Sequence, residues 1–490
     1  MTEESDLPRI AADLRSAIES VLAPLRETAV TTGRLVAHLG ARLDRLSLDL
    51  ARDLGAVTRD AQALAEAARG QASTLRHATP RAARLAAAGA QVLARHRLLR
   101  LQAALRGDAG LSDDDHRDLA RRVVAHAANL RGGIAKLGQL ASCRPDLVGP
   151  VWATELAALQ DDVPPVDAAP IRARIEAELG RTIDEVFAEL DDTALAAASL
   201  AQVHAATLRD GTRVVVKVQV PGIEDVIEAD IAALRALAGT LGEVAGLDLP
   251  MLADELARAL AVELDYTAEA AALRAFAAAG ASVVVPWPIA EASSGRVLTM
   301  TRIDGERLTD ALEKMTPDER DRALGALVSE TAAQVLVRGH VHADPHPGNY
   351  LVTPAGELAL LDFGCTLELP REERAAYARL VLAIASRDQA AAARELAALG
   401  FGADDPDALV AVAASLVGAM APGAAVSEID WQAAFAEQVA RAKELAGLAI
   451  PRSFVLLGRV LATVAGLLAK YRPRIQLHPI LLQHLAKAIA

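Results

Sequence analysis

The stretch that decides the fold is His342-Ala-Asp-Pro-His-Pro-Gly-Asn349, which is followed closely by Asp362-Phe-Gly364. An H-x-D-x-x-x-x-N run with a D-F-G behind it is the spacing of a kinase catalytic loop. Phosphoryl transfer needs a carboxylate beside the attacking hydroxyl group and oxygen ligands for magnesium. We therefore interpret Asp344 as the catalytic base or orienting residue, and Asn349 and Asp362 as the magnesium ligands.

Two short apolar runs connect the loop to the D-F-G. The runs Tyr350–Val352 and Leu358–Leu361 flank Pro354-Ala-Gly356, a combination that predicts a β-hairpin. This hairpin would carry Asn349 to the side of Asp362.

Leu200–Leu208 and Thr212–Val220 are predicted to form a β-hairpin around the turn Arg209-Asp-Gly211. A candidate phosphate-binding lysine lies in its second strand, in Val214-Val-Val-Lys217. The run resembles the V-A-I-K strand of kinases, whose lysine contacts the α- and β-phosphates. When the kinase pattern G-x-G-x-x-G-x-V is aligned with the residues that precede this strand, ending at Val203, its three glycine positions fall on Ala196, Ala198 and Ala201. Glycine lets the backbone approach phosphates closely, and alanine stiffens such a loop. The predicted nucleotide-covering residues are Ala196, Ala197, Ala198 and Ser199.

A kinase also needs a helix glutamate that pairs with the strand lysine. The sequence predicts one long helix from Leu252 to Phe276, which carries Glu263, Asp265 and Glu269. Residues four apart share a helix face, so Asp265 and Glu269 would lie on one face and Glu263 on another. Two acidic faces could serve two lysines.

The remaining N-lobe and the approach to the catalytic loop are predicted from apolar runs. Ile183–Leu190 is interpreted as an edge strand, and two further strands are expected at Val283–Val285 and Arg296–Met300. A helix from Asp318 to Arg338 would deliver the catalytic loop.

Composition restricts the function classes. The net charge of −13 argues against general nucleic-acid binding. The cysteines, Cys143 and Cys365, lie far apart and lack metal-ligand spacing, which is typical of a reducing compartment without a disulfide framework. The acidic start, Met1-Thr-Glu-Glu-Ser-Asp6, is unlike a signal peptide, and no apolar run reaches the length of a membrane span. We therefore expect a cytoplasmic protein.

The stretch 76–106 is basic and amphipathic. It contains seven arginines and no acidic residue, interleaved with leucine and valine. Such a stretch can lie on an anionic membrane as a peripheral contact, or it can be a packed helix with a solvated basic face. Both interpretations are kept open.

The segment after the D-F-G is short, because a helix start at Pro370-Arg-Glu-Glu373 follows within a few residues of Gly364. Protein kinases use a longer activation segment as their peptide-docking platform, and no A-P-E motif follows here. A protein substrate is therefore disfavoured, and a small or lipid-like acceptor is expected.

Several motifs together resemble the UbiB (AarF) family of atypical kinase-like proteins. They are Lys136-Leu-Gly-Gln139, Ala198-Ser-Leu-Ala-Gln-Val-His204, Glu263-Leu-Asp265 with Glu269, and the catalytic loop with its D-F-G. Members of that family are ATPases or small-molecule kinases at membranes and are linked to isoprenoid quinone biosynthesis. The resemblance implies that Lys136 and Gln139 lie over the nucleotide and block protein substrates. It also implies that Lys217 pairs with Glu269, and that Glu263 or Asp265 holds Lys136.

The sequence thus predicts an α+β, two-lobed, protein-kinase-like fold, helix-rich overall. The predicted parts are a helical N-terminal extension at 1–105, a second helical extension at 106–180, an N-lobe at 181–303 and a C-lobe at 304–490. The predicted function is binding of ATP or ADP with Mg²⁺, and ATP hydrolysis or phosphoryl transfer linked to quinone or membrane-lipid metabolism. One alternative is a nucleotide-gated scaffold for lipid-modifying enzymes with negligible turnover. Another is a kinase of the aminoglycoside or choline type, against which the Lys136 motif and the alanine loop argue.

Overall fold

The structure is a computed structural model that describes residues 79–418, 426–428, 441 and 445–489, apart from gaps at 107, 109, 131, 143–147, 160–164, 242 and 245–246. Most of the predicted extension 1–105 and the start of the basic stretch, 76–78, lie outside the described residues. The chain forms two compact units. The first contains residues up to Arg174 together with Thr193–Val203 and Val218–Val262, and the second contains Ile175–Asp192, His204–Lys217 and Glu263 onward. Each unit is described by itself.

The helices of the described residues are numbered in chain order. They are α1 Thr79–Arg106, α2 Asp113–Leu130, α3 Gly132–Ser142, α4 Pro150–Leu156, α5 Ala168–Leu179, α6 Ile183–Val186, α7 Ile223–Leu241, α8 Leu249–Glu263, α9 Tyr266–Ala278, α10 Leu308–Lys314, α11 Pro317–Ala332, α12 Arg371–Ala385, α13 Gln389–Ala398, α14 Pro406–Gly418, α15 Arg452–Tyr471 and α16 Leu477–Ile489. Short 3₁₀ turns lie at Ala290–Ala292, Pro347–Asn349 and Val426–Glu428, and a π-helical turn lies at Ala333–Arg338.

The strands are short, and most belong to three small sheets. They are β1 Phe187–Ala197, β2 Ala201–Leu208, β3 Arg213–Gln219, β4 Glu243–Val244, β5 Leu247–Asp248, β6 Val297–Thr301, β7 Glu306–Arg307, β8 His340–His342, β9 Tyr350–Val352, β10 Leu358–Leu360 and β11 Thr366–Glu368. The largest sheet has the order β1-β2-β3-β6, a second has the order β10-β9-β7, and β8 pairs with β11.

Helices dominate the first unit, where α3, the helix of the Lys136 motif, packs against α4 and α7. Its N-terminal turn is held by Asp230, whose carboxylate accepts a hydrogen bond from the Ile134 N–H at 3.1 Å. Gly138 lies so close to Leu159 that an added Cβ would come within 2.3 Å of a leucine methyl group. The glycine of the motif thus lets α3 lie directly against the Leu159 side chain in the first unit.

The basic stretch is helical in its described part, which is α1. Arg95 Nε donates to Asp118 at 2.7 Å, and Arg106 Nε donates to Asp108 at 2.8 Å. These ion pairs neutralise part of the positive charge of α1 with aspartates that lie outside the stretch 76–106. Contact with an anionic membrane remains a prediction, and no helix among the described residues is both long and apolar enough to span a bilayer.

The predicted β2–β3 hairpin and β9–β10 hairpin are both present. Asp210 Oδ1 accepts from the Thr212 N–H at 2.8 Å in the first turn, and Gly211 takes φ +88°, a left-handed conformation that favours glycine. In the second hairpin β9 and β10 are antiparallel, with Tyr350 opposite Leu360. Short-range turn chemistry therefore suffices to define both hairpins.

Two predicted strands are wrong in detail. Ile183–Leu190 is not a single strand, because residues Ile183–Val186 form the helical turn α6 behind an N-cap at Thr182, and β1 begins only at Phe187. Val283–Val285 is not a strand of a sheet: only Val284 makes an isolated parallel bridge, to Ala359 of β10. Pro286 and Pro288 flank Trp287, and a proline has no backbone N–H to donate to a neighbouring strand.

The helix predicted to end at Arg338 changes character in its last turn. The α-helix α11 ends at Ala332, and Ala333–Arg338 continue it as a π-helical turn that ends at Gly339 with φ +77°. Wide turns of this kind frequently mark functional sites. Here the turn leads directly into β8, the strand that precedes the catalytic loop.

Gly339→Ala is expected to destabilise the protein by about 1–3 kcal/mol, because alanine is strained at positive φ. An added Cβ would also lie 2.6 Å from the Leu369 carbonyl oxygen. Urea unfolding of this variant should be compared with that of Gly356→Ala, whose glycine has φ +81° but nothing within 4 Å of an added Cβ. The difference between the two losses isolates the clash, and equal losses would contradict this account.

Candidate active site

Lys217, Glu269 and Asp362 lie together in the second unit. Lys217 projects from β3, and its Nζ donates to both carboxylate oxygens of Glu269 at 2.8 Å. Asp362 Oδ2 lies 3.6 Å from the same nitrogen. The Glu269 side chain is 4% exposed, whereas that of Asp362 is 47% exposed. A buried carboxylate thus holds the ammonium group, and a second, accessible carboxylate lies beside it.

Glu269 lies in the first turn of a separate helix, because the predicted long helix is broken. The prediction of one helix from Leu252 to Phe276 is wrong: α8 ends at Glu263 and α9 begins at Tyr266. Asp265 is the N-cap of α9, and its carboxylate accepts from the Thr267 N–H at 2.9 Å. Aspartate competes for backbone N–H groups in this way and so favours a new helix start over continuation. Asp265 therefore does not share a helix face with Glu269.

The Lys217 ammonium group is held in its charged form. Burial would lower the pKa of Lys217, but the carboxylates of Asp362 and Glu269 outweigh burial and raise this pKa well above its ordinary value. The Tyr266 ring adds a cation–π contact, with the ammonium nitrogen 5.2 Å from the ring centroid. A fixed positive charge at this place is suited to a phosphate group.

His342 connects the catalytic loop to the D-F-G. Its ring Nε2–H donates to the Asp362 carbonyl oxygen, and its backbone N–H donates to Gln334 Oε1 at 3.0 Å. The ring packs edge-on against Phe363, with centroids 5.5 Å apart. Burial lowers the pKa of His342, so the ring is neutral and its proton lies on Nε2. His342 therefore anchors the backbone of Asp362 and is not placed as a proton acceptor.

Asp344 is engaged by two side chains. The Asn349 Nδ2 donates to the Asp344 carbonyl oxygen at 3.0 Å and lies 3.5 Å from Asp344 Oδ2. Arg459, on α15, donates from Nη2 to Asp344 Oδ1 at 2.6 Å. The Asn349 backbone is held in turn by the hairpin, because its carbonyl oxygen accepts from the Leu361 N–H at 2.9 Å.

The oxygen donors at the site fit a magnesium–nucleotide. Asn349 must turn its Nδ2 toward the Asp344 carbonyl, because a carbonyl oxygen can only accept. Its Oδ1 is therefore the atom that is left to ligate a cation. Asp362 contributes a half-exposed carboxylate, whose Oδ1 accepts from the Gly364 N–H at 2.8 Å. Magnesium takes few protein oxygens and completes its shell with water and phosphate, so this pair suffices. No cluster of three or more His, Cys, Asp or Glu suited to a metal occurs among the described residues.

Residues 158–396 match the family model described as "ABC1 atypical kinase-like domain". This segment is a domain of the UbiB (AarF) family. The chain is 40% identical over 281 residues to "Protein ACTIVITY OF BC1 COMPLEX KINASE 3, chloroplastic" of Arabidopsis thaliana, a match that covers 56% of this chain and 39% of that protein. It is 37% identical over 271 residues to "Uncharacterized aarF domain-containing protein kinase At1g71810, chloroplastic" of the same plant, covering 54% of this chain and 38% of that protein. The chain thus spans about two-fifths of the length of these two relatives.

A cyanobacterial relative and a solved structure extend the comparison. "Uncharacterized protein slr0889" of Synechocystis is 33% identical over 270 residues, covering 52% of this chain and 66% of that protein. The fold is similar to that in "The complex structure of Rv3197-erythromycin from Mycobacterium tuberculosis", with a TM-score of 0.55, 21% identity, and coverage of 77% of this chain and 98% of the other. At this identity the second likeness shows the fold alone. The kinase-like fold predicted from the sequence is confirmed.

The other predicted nucleotide-binding residues belong mainly to the first unit. Ala196 and Ala197 end β1, and Ala198 and Ser199 lie in the turn to β2, where the Ala198 N–H donates to the Ala201 carbonyl at 2.8 Å. Lys136 is half-buried on α3, the helix that also contains Gln139. Glu263 and Asp265 belong to the second unit. The roles of these residues toward a nucleotide, and the pairing of Lys136 with Glu263 or Asp265, remain predictions.

Sequence reasoning missed Arg459 and Gln334 as members of the candidate site. Arg459 had a signal, because it is a lone charge inside the apolar run Phe454–Leu468. That run lies within α15, a helix that buries Leu457 and Val460 but exposes Leu461. Gln334 had no local signal, since a glutamine on a predicted helix is ordinarily at the surface.

Proposed function

We propose that this chain binds a magnesium–nucleotide and either hydrolyses ATP or transfers its terminal phosphoryl group to a small or lipid-like acceptor. The observation that carries the proposal is the Lys217–Glu269 pair with Asp362 beside it, in the same unit as Asp344 and Asn349. These are the residue types at the places that phosphoryl transfer requires.

Each side chain has a role that follows from its surroundings. Lys217 supplies a fixed positive charge for the α- and β-phosphates, and Glu269 keeps it in place. Asn349 Oδ1 and the Asp362 carboxylate would hold magnesium, which when bound neutralises the charge that develops on the phosphates. Asp344 would orient an acceptor hydroxyl group or a water molecule and receive its proton. His342 holds the Asp362 backbone while this occurs.

The acceptor class follows from the segment after the D-F-G. Only β11 and a few further residues separate Gly364 from α12, which begins at Arg371. This length gives no platform for an extended peptide, which supports a small or lipid-like acceptor. The proposed link to isoprenoid quinone or membrane lipid metabolism rests on family membership. Phosphate release measured with and without quinone-precursor-like phenols in detergent tests it, and stimulation is expected.

The nucleotide-gated scaffold is kept as a second candidate function because of one contact. Asp344 Oδ1 is hydrogen-bonded to the Arg459 guanidinium at 2.6 Å, so this oxygen is already engaged by a protein donor. A protein of this kind would bind the nucleotide with negligible turnover. Single-turnover phosphate release at saturating nucleotide separates the two functions.

Asp362→Asn is expected to weaken magnesium-dependent nucleotide binding by about 10–100-fold or more, since even residues that only support a metal ligand cost this much when mutated. The physical reason is that an amide replaces the only carboxylate proposed to ligate the cation. Calorimetric titration of nucleotide with and without magnesium measures the effect. The control is Asp407→Asn, which neutralises an exposed carboxylate at the start of α14. Unchanged affinity in the Asp362 variant would refute the assignment of this ligand.

A further inference from the structure

The catalytic loop of this chain contains no cationic residue of its own. Between His342 and Asn349 there is no lysine or arginine, and Ala343 stands where the kinase H-R-D motif has arginine. Phosphoryl transfer is catalysed mainly by positioning and by charge, so a loop without a cation needs these from elsewhere. The cation that contacts the Asp344 carboxylate comes from a helix 115 positions further along the chain.

That cation, Arg459, lies on a helix that otherwise serves the core. Its neighbours Leu457 and Val460 are each 1% exposed and belong to the apolar core of the second unit. Between Arg452 and Lys470, near the two ends of α15, Arg459 is the single charged residue in the sequence of the helix. It also lies beyond residue 396, where the match to the kinase-like domain ends. The C-terminal part of the chain thus contributes a side chain to the candidate site.

The two oxygens of Asp344 are engaged unequally. Oδ1 accepts a short, charge-assisted hydrogen bond of 2.6 Å from Arg459 Nη2. Among the described residues, Oδ2 has only the 3.5 Å contact with Asn349 Nδ2, whose better acceptor is the Asp344 carbonyl at 3.0 Å. The guanidinium therefore fixes the carboxylate through one oxygen and leaves the other as the stronger candidate for an acceptor O–H.

We propose that Arg459 is a positioning residue, which orients Asp344 through Oδ1 so that Oδ2 faces the acceptor hydroxyl group. The inference rests on the proposed function, in which Asp344 receives the acceptor proton. Arginine suits this task because its planar group is always charged and has a rigid donor geometry, whereas the lysine ammonium is a compact, flexible point charge. Arg459 acts through Asp344 and does not itself meet the reacting atoms.

The test compares Arg459→Met, Arg459→Lys, Asp344→Asn and the Arg459→Met/Asp344→Asn double variant with the wild type. Lys470→Met is the matched control, since it removes a surface cation from the same helix. Phosphate release from magnesium–ATP should fall by about 10²-fold in Arg459→Met, the effect of misplacing a catalytic group. The affinity for nucleotide should stay unchanged, and Arg459→Lys should recover part of the rate. The double variant should be no slower than Asp344→Asn alone, because both changes act on one carboxylate.

Four outcomes overturn the proposal. The first is an unchanged rate in Arg459→Met, and the second is a faster rate, which would make the arginine inhibitory. The third is a slower rate accompanied by losses of both nucleotide affinity and thermal midpoint, which would make the arginine merely structural. The fourth is a double variant that is slower than Asp344→Asn. A wild type that binds nucleotide but neither releases phosphate nor transfers it to an added phenolic or lipid acceptor refutes the proposed function instead. In that case the pairing of Arg459 with Asp344 is tested by stability alone. The unfolding midpoints are compared for the wild type, Arg459→Met, Asp344→Asn and the double variant. Non-additive shifts support the pairing with Asp344, and additive shifts overturn it.

Discussion

Phosphate release from ATP is expected to fall by about 10²–10⁴-fold in Asp344→Asn, the range for loss of a general base. The amide keeps the shape of the side chain but cannot accept a proton from a hydroxyl group or a water molecule. The nucleotide affinity should not change, because Lys217, Asn349 and Asp362 are the groups proposed to hold the magnesium–nucleotide. The measurement is single-turnover phosphate release beside a calorimetric titration of the same preparation.

Asp321→Asn is the matched control for this variant. Asp321 also pairs with an arginine, Arg474, at 2.9 Å, and it belongs to the same unit. The control therefore removes a carboxylate from a comparable ion pair away from the catalytic loop. If the two variants release phosphate at the same rate, Asp344 does not act as the base.

The second large effect is on stability and concerns Glu330, at the end of α11. Its side chain is 1% exposed and pairs with Arg338, whose side chain is 9% exposed. The remaining lone pairs accept from Gln334 Nε2 at 3.0 Å and from the Ser282 backbone N–H at 3.0 Å. Gln334 in turn accepts from the His342 N–H, so the network extends to the catalytic loop.

Glu330→Leu is expected to lower the free energy of unfolding by about 3–5 kcal/mol, because it leaves the buried Arg338 charge uncompensated. The Arg338→Met/Glu330→Leu double variant should recover a large part of the loss, since a buried ion pair can be replaced by apolar groups at little cost. Urea unfolding followed by fluorescence and circular dichroism measures both variants. A double variant less stable than Glu330→Leu would contradict this account, because it would show that Arg338 stabilises the fold without Glu330, for example through its bond to the Gly280 carbonyl oxygen.

The same comparison separates stability from positioning. If the double variant folds but releases phosphate more slowly than the wild type, Gln334 no longer holds the His342 backbone correctly. If stability and rate recover together, the network serves only the fold. The physical distinction is that Gln334 loses its Glu330 partner in both variants, whereas the unpaired charge is present in only one.

The features that the sequence determined by itself are those set by neighbours along the chain. The spacing of His342, Asp344 and Asn349 with the D-F-G predicted a kinase-like fold, which the family match and the fold neighbour confirm. The two hairpins followed from Asp-Gly and Pro-Ala-Gly turns between apolar runs, and Lys217 was placed in the second strand of the first hairpin. Turn preference and apolar periodicity act over a few residues, so both can be read locally.

Tertiary structure decided the features that depend on distant partners. The sequence predicted one helix through Leu264–Asp265, but the N-cap at Asp265, which accepts from the Thr267 N–H, and the burial of Tyr266 begin a new helix there. Val283–Val285 has the composition of a strand, yet only one of its residues finds a bridge. Local preference is weak beside packing, and it was overridden at both places.

The contact between Arg459 and Asp344 and the Glu330 network lie furthest from what the sequence shows. Arg459 was visible as a charge in an apolar run, but its partner is 115 positions away. The partners of Glu330 are spread from Ser282 to Arg338. A buried charge indicates that a partner exists, because burial without one costs several kcal/mol, on the order of 2–7 for a polar group and more for an ion. Which residue fills that place is decided only when the chain packs.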